Sequence, residues 1–203
     1  GWSAQLAQLI EDLVETGVSA LALTLVSRTP LEERRSWFVG RDFPADRVSI
    51  EHVEADALAS GTLTELDLAG PDTVLIATTP NRESAEESDA RALTAYELLR
   101  AERDRQCAPG GKRPAIILEL AHPGSAEHAV EPGDVLLIRP RLLGFLQSQV
   151  TLRPLLNAVF DELFMPTGGA SLTLRNGDAA TDLKRFGALS ERLRQPGDIA
   201  LGA

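Results

Sequence analysis

The strongest constraint on what this chain can fold into is the recurrence of short apolar runs separated by helix-patterned stretches. Residues 19–26, 72–77, 114–120 and 134–138 are runs of this kind, rich in Val, Ile and Leu, and their length suits buried parallel strands rather than helices. Residues 48–53 set Val48, Ile50 and His52 against Ser49, Glu51 and Val53, which predicts a further strand. Residues 3–15 carry Leu6, Leu9, Ile10, Leu13 and Val14 on one helical face, with Gly17 as a stop. A short helix is expected around Glu32, Glu33, Arg34 and Arg35, another over 63–68, and a weak one over 126–130. The longest spans 87–106, with Ala92, Leu93, Tyr96 and Leu99 inward and Glu97, Arg100, Arg103 and Asp104 outward. Strands and helices alternating through short connections call for an α/β fold built on a parallel, doubly wound sheet.

Beyond this region the pattern changes. Residues 142–150 and 155–164 read as two amphipathic helices broken at Thr151-Leu152-Arg153-Pro154, a helix hairpin of the kind that pairs subunits. Leu146, Val150, Leu155, Val159 and Phe160 are the residues expected at that interface. Residues 170–174 and 198–201 suggest short strands bracketing a helix over 182–193, a small α+β lobe. Three parts follow: the sheet domain over 1–139, the hairpin over 140–166 and the C-terminal lobe over 167–203.

Charge and cysteine content narrow the function. With 30 acidic against 20 basic residues the net charge is -10, without the basic footprint that nucleic acid requires. The hydrophobic share of 43% allows a sizeable core. Cys107, the single cysteine, excludes an internal disulfide and fits a reducing cytoplasm; no histidine lies near it in sequence to activate it. No run reaches the roughly 18 apolar residues of a membrane span, and no signal peptide is visible. The opening Gly1-Trp2, without an initiator Met, leads us to expect a piece of a longer protein.

In a doubly wound fold a ligand binds outside the carboxyl ends of the strands, where strand order reverses. A glycine-rich turn normally cradles the pyrophosphate there. In Gly1-Trp2-Ser3-Ala4-Gln5-Leu6 only the first fingerprint glycine stands, with Ser3 and Leu6 at the other two positions. The carboxylate that would take ribose hydroxyls at the next strand end is replaced by Ser27 and Arg28. Asp56, just past a strand, suits a turn or cap, an adenosine amine or a cation. Thr78 and Thr79 end the following strand at the same crevice, and Glu119 inside an apolar strand needs either the crevice or a buried base. The crevice candidates are therefore Gly1, Ser3, Arg28, Asp56 and Thr78. No catalytic set accompanies them: His52, His122 and His128 are scattered, Tyr96 lacks a lysine four residues on, and Ser3, Ser27 and Ser84 have no nucleophile-elbow context.

Several segments together resemble a known family. They are Glu87-Ser88-Asp89-Ala90-Arg91-Ala92-Leu93 with Tyr96-Glu97-Leu98-Leu99-Arg100, the opening Gly1-Trp2, and Leu66-Asp67-Leu68 before Asp72-Thr73-Val74-Leu75-Ile76. The stretch from Leu155 to Phe164, Phe186-Gly187-Ala188-Leu189-Ser190, and Gly197-Asp198-Ile199-Ala200-Leu201-Gly202 also belong to the set. They resemble the cytoplasmic domains of Castor/Pollux-type ion channels, relatives of the regulator-of-potassium-conductance (RCK, TrkA-N-like) domains. The resemblance implies a Rossmann-like lobe, a crossover hairpin that pairs subunits, and a C-terminal lobe. It also implies homo-oligomeric assembly, as a dimer or ring, beneath a channel pore domain. Its ligands would be a nucleotide (NAD, ATP or ADP) or calcium, Asp56 being the candidate metal contact, with no cofactor required. The resemblance further places a first sheet strand just before Gly1, which this sequence lacks along with the pore. Unless another segment or another copy fills that slot, the flanking strands are left with unpaired backbone groups.

The expectation is thus a non-enzymatic, ligand-sensing cytoplasmic domain of a cation or potassium channel, neither inserting in the membrane nor binding nucleic acid. The alternatives are an NAD(P)-dependent oxidoreductase and a purely structural assembly domain with a vestigial nucleotide site.

Overall fold

A computed structural model of the chain describes residues 4–16, 18–41, 43–59, 61–78, 84–108, 110–127 and 130–164. The chain divides into two units, Gly1–Gly169 and Ala170–Ala203, and all described residues fall in the first. The expected C-terminal lobe, and the crevice candidates Gly1 and Ser3, lie outside the described residues.

The elements run α1 (Ala4–Glu15), β1 (Leu21–Ser27), α2 (Leu31–Ser36), β2 (Val48–Glu54), α3 (Thr62–Glu65), β3 (Thr73–Ile76) and α4 (Ala85–Gln106). They continue with β4 (Ala115–Leu120), a 3₁₀ turn (Pro123–Glu127), β5 (Val135–Ile138), α5 (Arg139–Leu152) and α6 (Leu156–Phe164). Each expected strand and helix of this region is present within a few residues of its predicted bounds, except that the helix expected over 126–130 is the 3₁₀ turn, displaced toward Pro123. The long helix starts at Ser84, whose hydroxyl accepts from the Glu87 N–H at 3.2 Å while the Glu87 carboxylate accepts from the Ser84 N–H at 3.1 Å. That reciprocal box satisfies two donors that a helix start otherwise leaves open. Gly133 takes φ +97° ahead of β5, a conformation that side-chain-bearing residues rarely adopt.

All strand pairs are parallel, as the α/β reading requires, but the sheet is in two pieces. β1 pairs with β2, and β4 lies between β3 and β5. Among the described residues the two pieces share no ladder.

The core sits on one face of the three-stranded piece. Ile116, Leu118 and Leu120 alternate along β4 and pack with Ile76, Ile138 and the Ala92, Tyr96 and Leu99 face of α4. The other face is less covered. Leu75 and Val135 remain 40% and 48% exposed, although their apolar runs suggested strands buried on both sides. One expected surface residue is internal: Arg103 is buried against Asp134, at 2.7 Å. Asp134 also accepts from the Ile116 N–H at 2.9 Å and the Tyr96 hydroxyl at 3.0 Å. This cluster joins the end of α4 to the starts of β4 and β5. It needs a buried cation because a lone buried carboxylate would be costly.

Candidate functional site

The parallel strands deliver their carboxyl ends to one side, and the loops leaving β1, β2 and β3 enclose a cavity of about 390 Å³ there. Its size is that of a small-molecule site. Ser27, Arg28, Asp56, Thr78, Ser88 and Arg91 contribute its polar lining. Three of the sequence-predicted crevice residues, Arg28, Asp56 and Thr78, are thus brought together.

Asp56 is held on several sides. Its Oδ1 accepts from the Leu58 N–H at 3.0 Å, closing an Asx turn, and the Arg91 guanidinium reaches both oxygens at 3.0 and 3.2 Å. The Arg28 Nε stands 3.8 Å away. The Leu58 N–H, then Arg91 and Arg28, outweigh partial burial and hold the carboxyl below the ordinary aspartate range. A carboxylate so engaged does not present a cation site, and among the described residues no cluster of His, Cys, Asp and Glu could hold a metal. The candidate metal role of Asp56 is therefore not what its surroundings favour.

Arg91 is the residue that reading the sequence missed. It lies one helical turn after Glu87 on α4, and nothing in the local pattern separates it from a solvated charge. Only the placement of α4 across the ends of the strands aims it at Asp56. Ser27 and Thr78 are buried at the cavity, and the Ser27 hydroxyl accepts from the Thr29 N–H at 3.1 Å.

Beside the cavity, Glu119 finds its base. Arg139 Nε lies 2.7 Å from Glu119 Oε1, and its Nη2 donates to the Thr78 hydroxyl at 2.8 Å. The Thr78 N–H donates to Glu119 Oε2 at 3.1 Å, and Arg139 Nη1 donates to Gln5 Oε1 at 3.3 Å. Glu119 is therefore paired rather than offered to a ligand, and it fixes the end of β3. Asp89, also unforeseen, accepts from the Ala121 and His122 N–H groups at 2.7 and 2.9 Å and from the Ser125 hydroxyl at 2.7 Å. It clamps the loop that leaves β4.

What the described lining offers chemically is charge and hydroxyls. Cys107 is buried away from the cavity, with its thiol 3.8 Å from the Leu68 carbonyl. Tyr96 is engaged with Asp134, and burial raises its phenol above its ordinary range. His128 lies outside the described residues, as does Thr79.

The hairpin stands apart from the core. No residue of α5 or α6 is buried, and the predicted interface residues Leu155 and Val159 are exposed, while Leu146, Val150 and Phe160 are half-buried. Leu142, Leu143, Phe145 and Leu152 are exposed as well, so the apolar arc of α5 is broader than a single stripe, and Phe164 at the end of α6 is also exposed. Among the described residues no helix is long and apolar enough to cross a membrane.

No protein-family model matches the chain, and no curated protein does. Among solved structures, the NAD(P)-binding domain of an exopolyphosphatase-related protein from Archaeoglobus fulgidus is similar at 19% identity, with a TM-score of 0.49, over 75% of this chain and 94% of that one.

Proposed function

We propose that this chain is the cytoplasmic regulatory domain of a Castor/Pollux-like cation or potassium channel. It senses a nucleotide in the cleft at the ends of β1, β2 and β3 and acts by rearranging an assembly of its own copies beneath the pore, without catalysis. The observation that carries this reading is a pairing of features. A cavity of ligand size carries charge and hydroxyls with no described catalytic set, and the helix hairpin has no buried side chain at all. Among the described lining residues two guanidiniums, Arg28 and Arg91, and one carboxylate, Asp56, carry charge, and guanidiniums suit an anionic nucleotide (NAD, ATP or ADP) better than calcium. The unburied hairpin supports pairing with a second copy, since leucine, valine and phenylalanine side chains gain by leaving water.

Such a domain gates only if the ligand binds the two states of the assembly with different affinity. Calorimetric titration with NAD, ATP, ADP and calcium tests the ligand, with Arg91→Ala as the companion variant. A nucleotide heat that weakens in that variant is expected. Light scattering at micromolar concentration tests the assembly, with a dimer or larger species expected and shifted by the same nucleotide. A monodisperse monomer, the absence of any nucleotide heat, or turnover by hydride transfer would each overturn the reading.

A further inference from the structure

One carboxylate of the chain already stands where the cleft would receive the charge of a ligand. Arg28, just past the end of β1, and Arg91, on α4, both line the cavity. A guanidinium is a fork of fixed N–H donors that suits phosphate and carboxylate oxygens alike. Here both forks meet the same acceptor. Arg91 Nη2 reaches Asp56 Oδ1 and Oδ2 at 3.0 and 3.2 Å, and Arg28 Nε stands 3.8 Å from Oδ2. The Asp56 carboxyl is held below the ordinary aspartate range, so it is ionised at neutral pH.

This cluster differs from the sealed pair of Arg103 and Asp134, whose side chains are 5% and 3% exposed. The side chains of Arg28, Arg91 and Asp56 are 54%, 34% and 30% exposed, so water and ligand reach all three. An ion pair at such a border is worth little in water and can change partners. Asp56 also has a hold that does not depend on the arginines. Its Oδ1 accepts from the Leu58 N–H at 3.0 Å, and its carbonyl accepts from the Ala59 N–H at 2.9 Å. The turn after β2 therefore keeps its closing bonds when the guanidiniums are taken. A phosphate offers more charge and more acceptor oxygens than a carboxylate. Asp56, for its part, is delivered by its own loop and competes as a tethered group, at high effective concentration.

We propose that Asp56 is a built-in competitor for the ligand's phosphate: a phosphate-bearing ligand enters by taking Arg28 and Arg91 from Asp56, which thereby sets the ligand level at which the cleft fills. This rests on the nucleotide reading of the cleft and assigns the phosphates to the two arginines. Asp56 belongs to the turn after β2, whereas Arg91 belongs to α4, which packs with β4. The exchange therefore also removes a direct link between the two pieces of the sheet. The opposite role, Asp56 accepting from a ribose hydroxyl or an adenine amine, predicts the opposite sign when its charge is removed.

The test is calorimetric titration of the parent, Asp56→Asn and Asp56→Ser with ATP, inorganic pyrophosphate and adenosine at one fixed ionic strength. Asparagine keeps the shape and an oxygen for the Leu58 N–H, serine keeps a turn-closing oxygen, and both remove the charge. Both variants are expected to bind ATP and pyrophosphate about tenfold tighter than the parent, while uncharged adenosine binds alike in all three. In the parent itself, the Asp56 carboxyl, followed by carbon-13 NMR, should titrate at higher pH once pyrophosphate saturates the site, because its cations have been taken. A parent that binds ATP while both variants bind it equally or more weakly overturns the proposal and leaves the nucleotide reading standing. Tightening that extends equally to adenosine overturns it too, since charge is then not the cause, and so does an Asp56 titration that pyrophosphate leaves in place. Failure of the parent and both variants to bind ATP or pyrophosphate overturns the proposal and the nucleotide reading together.

Discussion

Asp134 shows how much of this domain rests on single buried charges. Burial alone would raise its carboxyl, but Arg103, the Ile116 N–H and the Tyr96 hydroxyl outweigh that and hold it below the ordinary aspartate range. A lowered carboxyl contributes stability that is complete above its unfolded value of 3.8 and is lost as pH falls through the folded one. Replacing Asp134 by Ala strands the Arg103 guanidinium in the core, and we expect a loss of about 3–5 kcal/mol, read from urea unfolding at neutral pH. A loss under about 1 kcal/mol would mean that water reaches the pair. His52 works in the same pH direction by another route. Burial, then the charges of Arg34 and Arg35, hold it below 6.5, and its Nδ1 has no hydrogen-bond partner among the described residues. The folded chain thus favours neutral imidazole, so its contribution is complete above 6.5 and declines as pH falls below that value. His52→Gln should flatten the stability profile between pH 7 and pH 5 relative to the parent; an unchanged slope would remove His52 as its source. Neither Asp134 nor His52 carried this role visibly in the sequence. Asp134 read as the start of an apolar strand, and Arg103 read as a solvated charge on the outer face of a helix.

At the scale of elements, the helices and strands were legible because each is written locally. The apolar run of β4 and the inward Ala92, Leu93, Tyr96 and Leu99 face of α4 need no distant partner. The hairpin break at Arg153-Pro154 was equally legible, since Pro cannot continue the helix. What α5 and α6 do was less so, because an apolar face on a helix predicts burial without saying by what. In the described unit their apolar side chains are covered by nothing that buries them. Pairing of two copies through this face leads to a specific expectation. Leu155→Lys with Val159→Lys should convert the assembly to monomer in light scattering while the far-ultraviolet circular dichroism and the melting temperature hold. Both positions are exposed in the described unit. An assembly that persists through both changes would move the interface elsewhere.

For the whole molecule, the divided sheet sets an order of stability. The principal core cluster draws on α3, α4, β3, β4 and β5 and includes no residue of β1 or β2. Without a shared ladder among the described residues, the β1–β2 piece is expected to open at lower free energy than the piece centred on β4. Hydrogen exchange should find the amides of Ile116, Leu118 and Leu120 the slowest and those of Leu23 and Leu25 clearly faster, at equal pH and temperature. Equal rates would show the two pieces opening as one cooperative unit. The alternation of apolar runs and helix patterns determined the α/β class, the parallel strands and the side on which a ligand cavity forms, since these follow from local periodicity and from the handedness of crossovers. Arg28, Asp56 and Thr78 could be placed at that cavity because strand ends converge there. The sequence could not tell that Arg91 would close on Asp56, that Glu119 would be taken by Arg139, or that Asp134 would hold three elements together. Those pairs join residues between 20 and 35 positions apart, and only the docking of α4 and α5 on the sheet brings them within hydrogen-bonding reach.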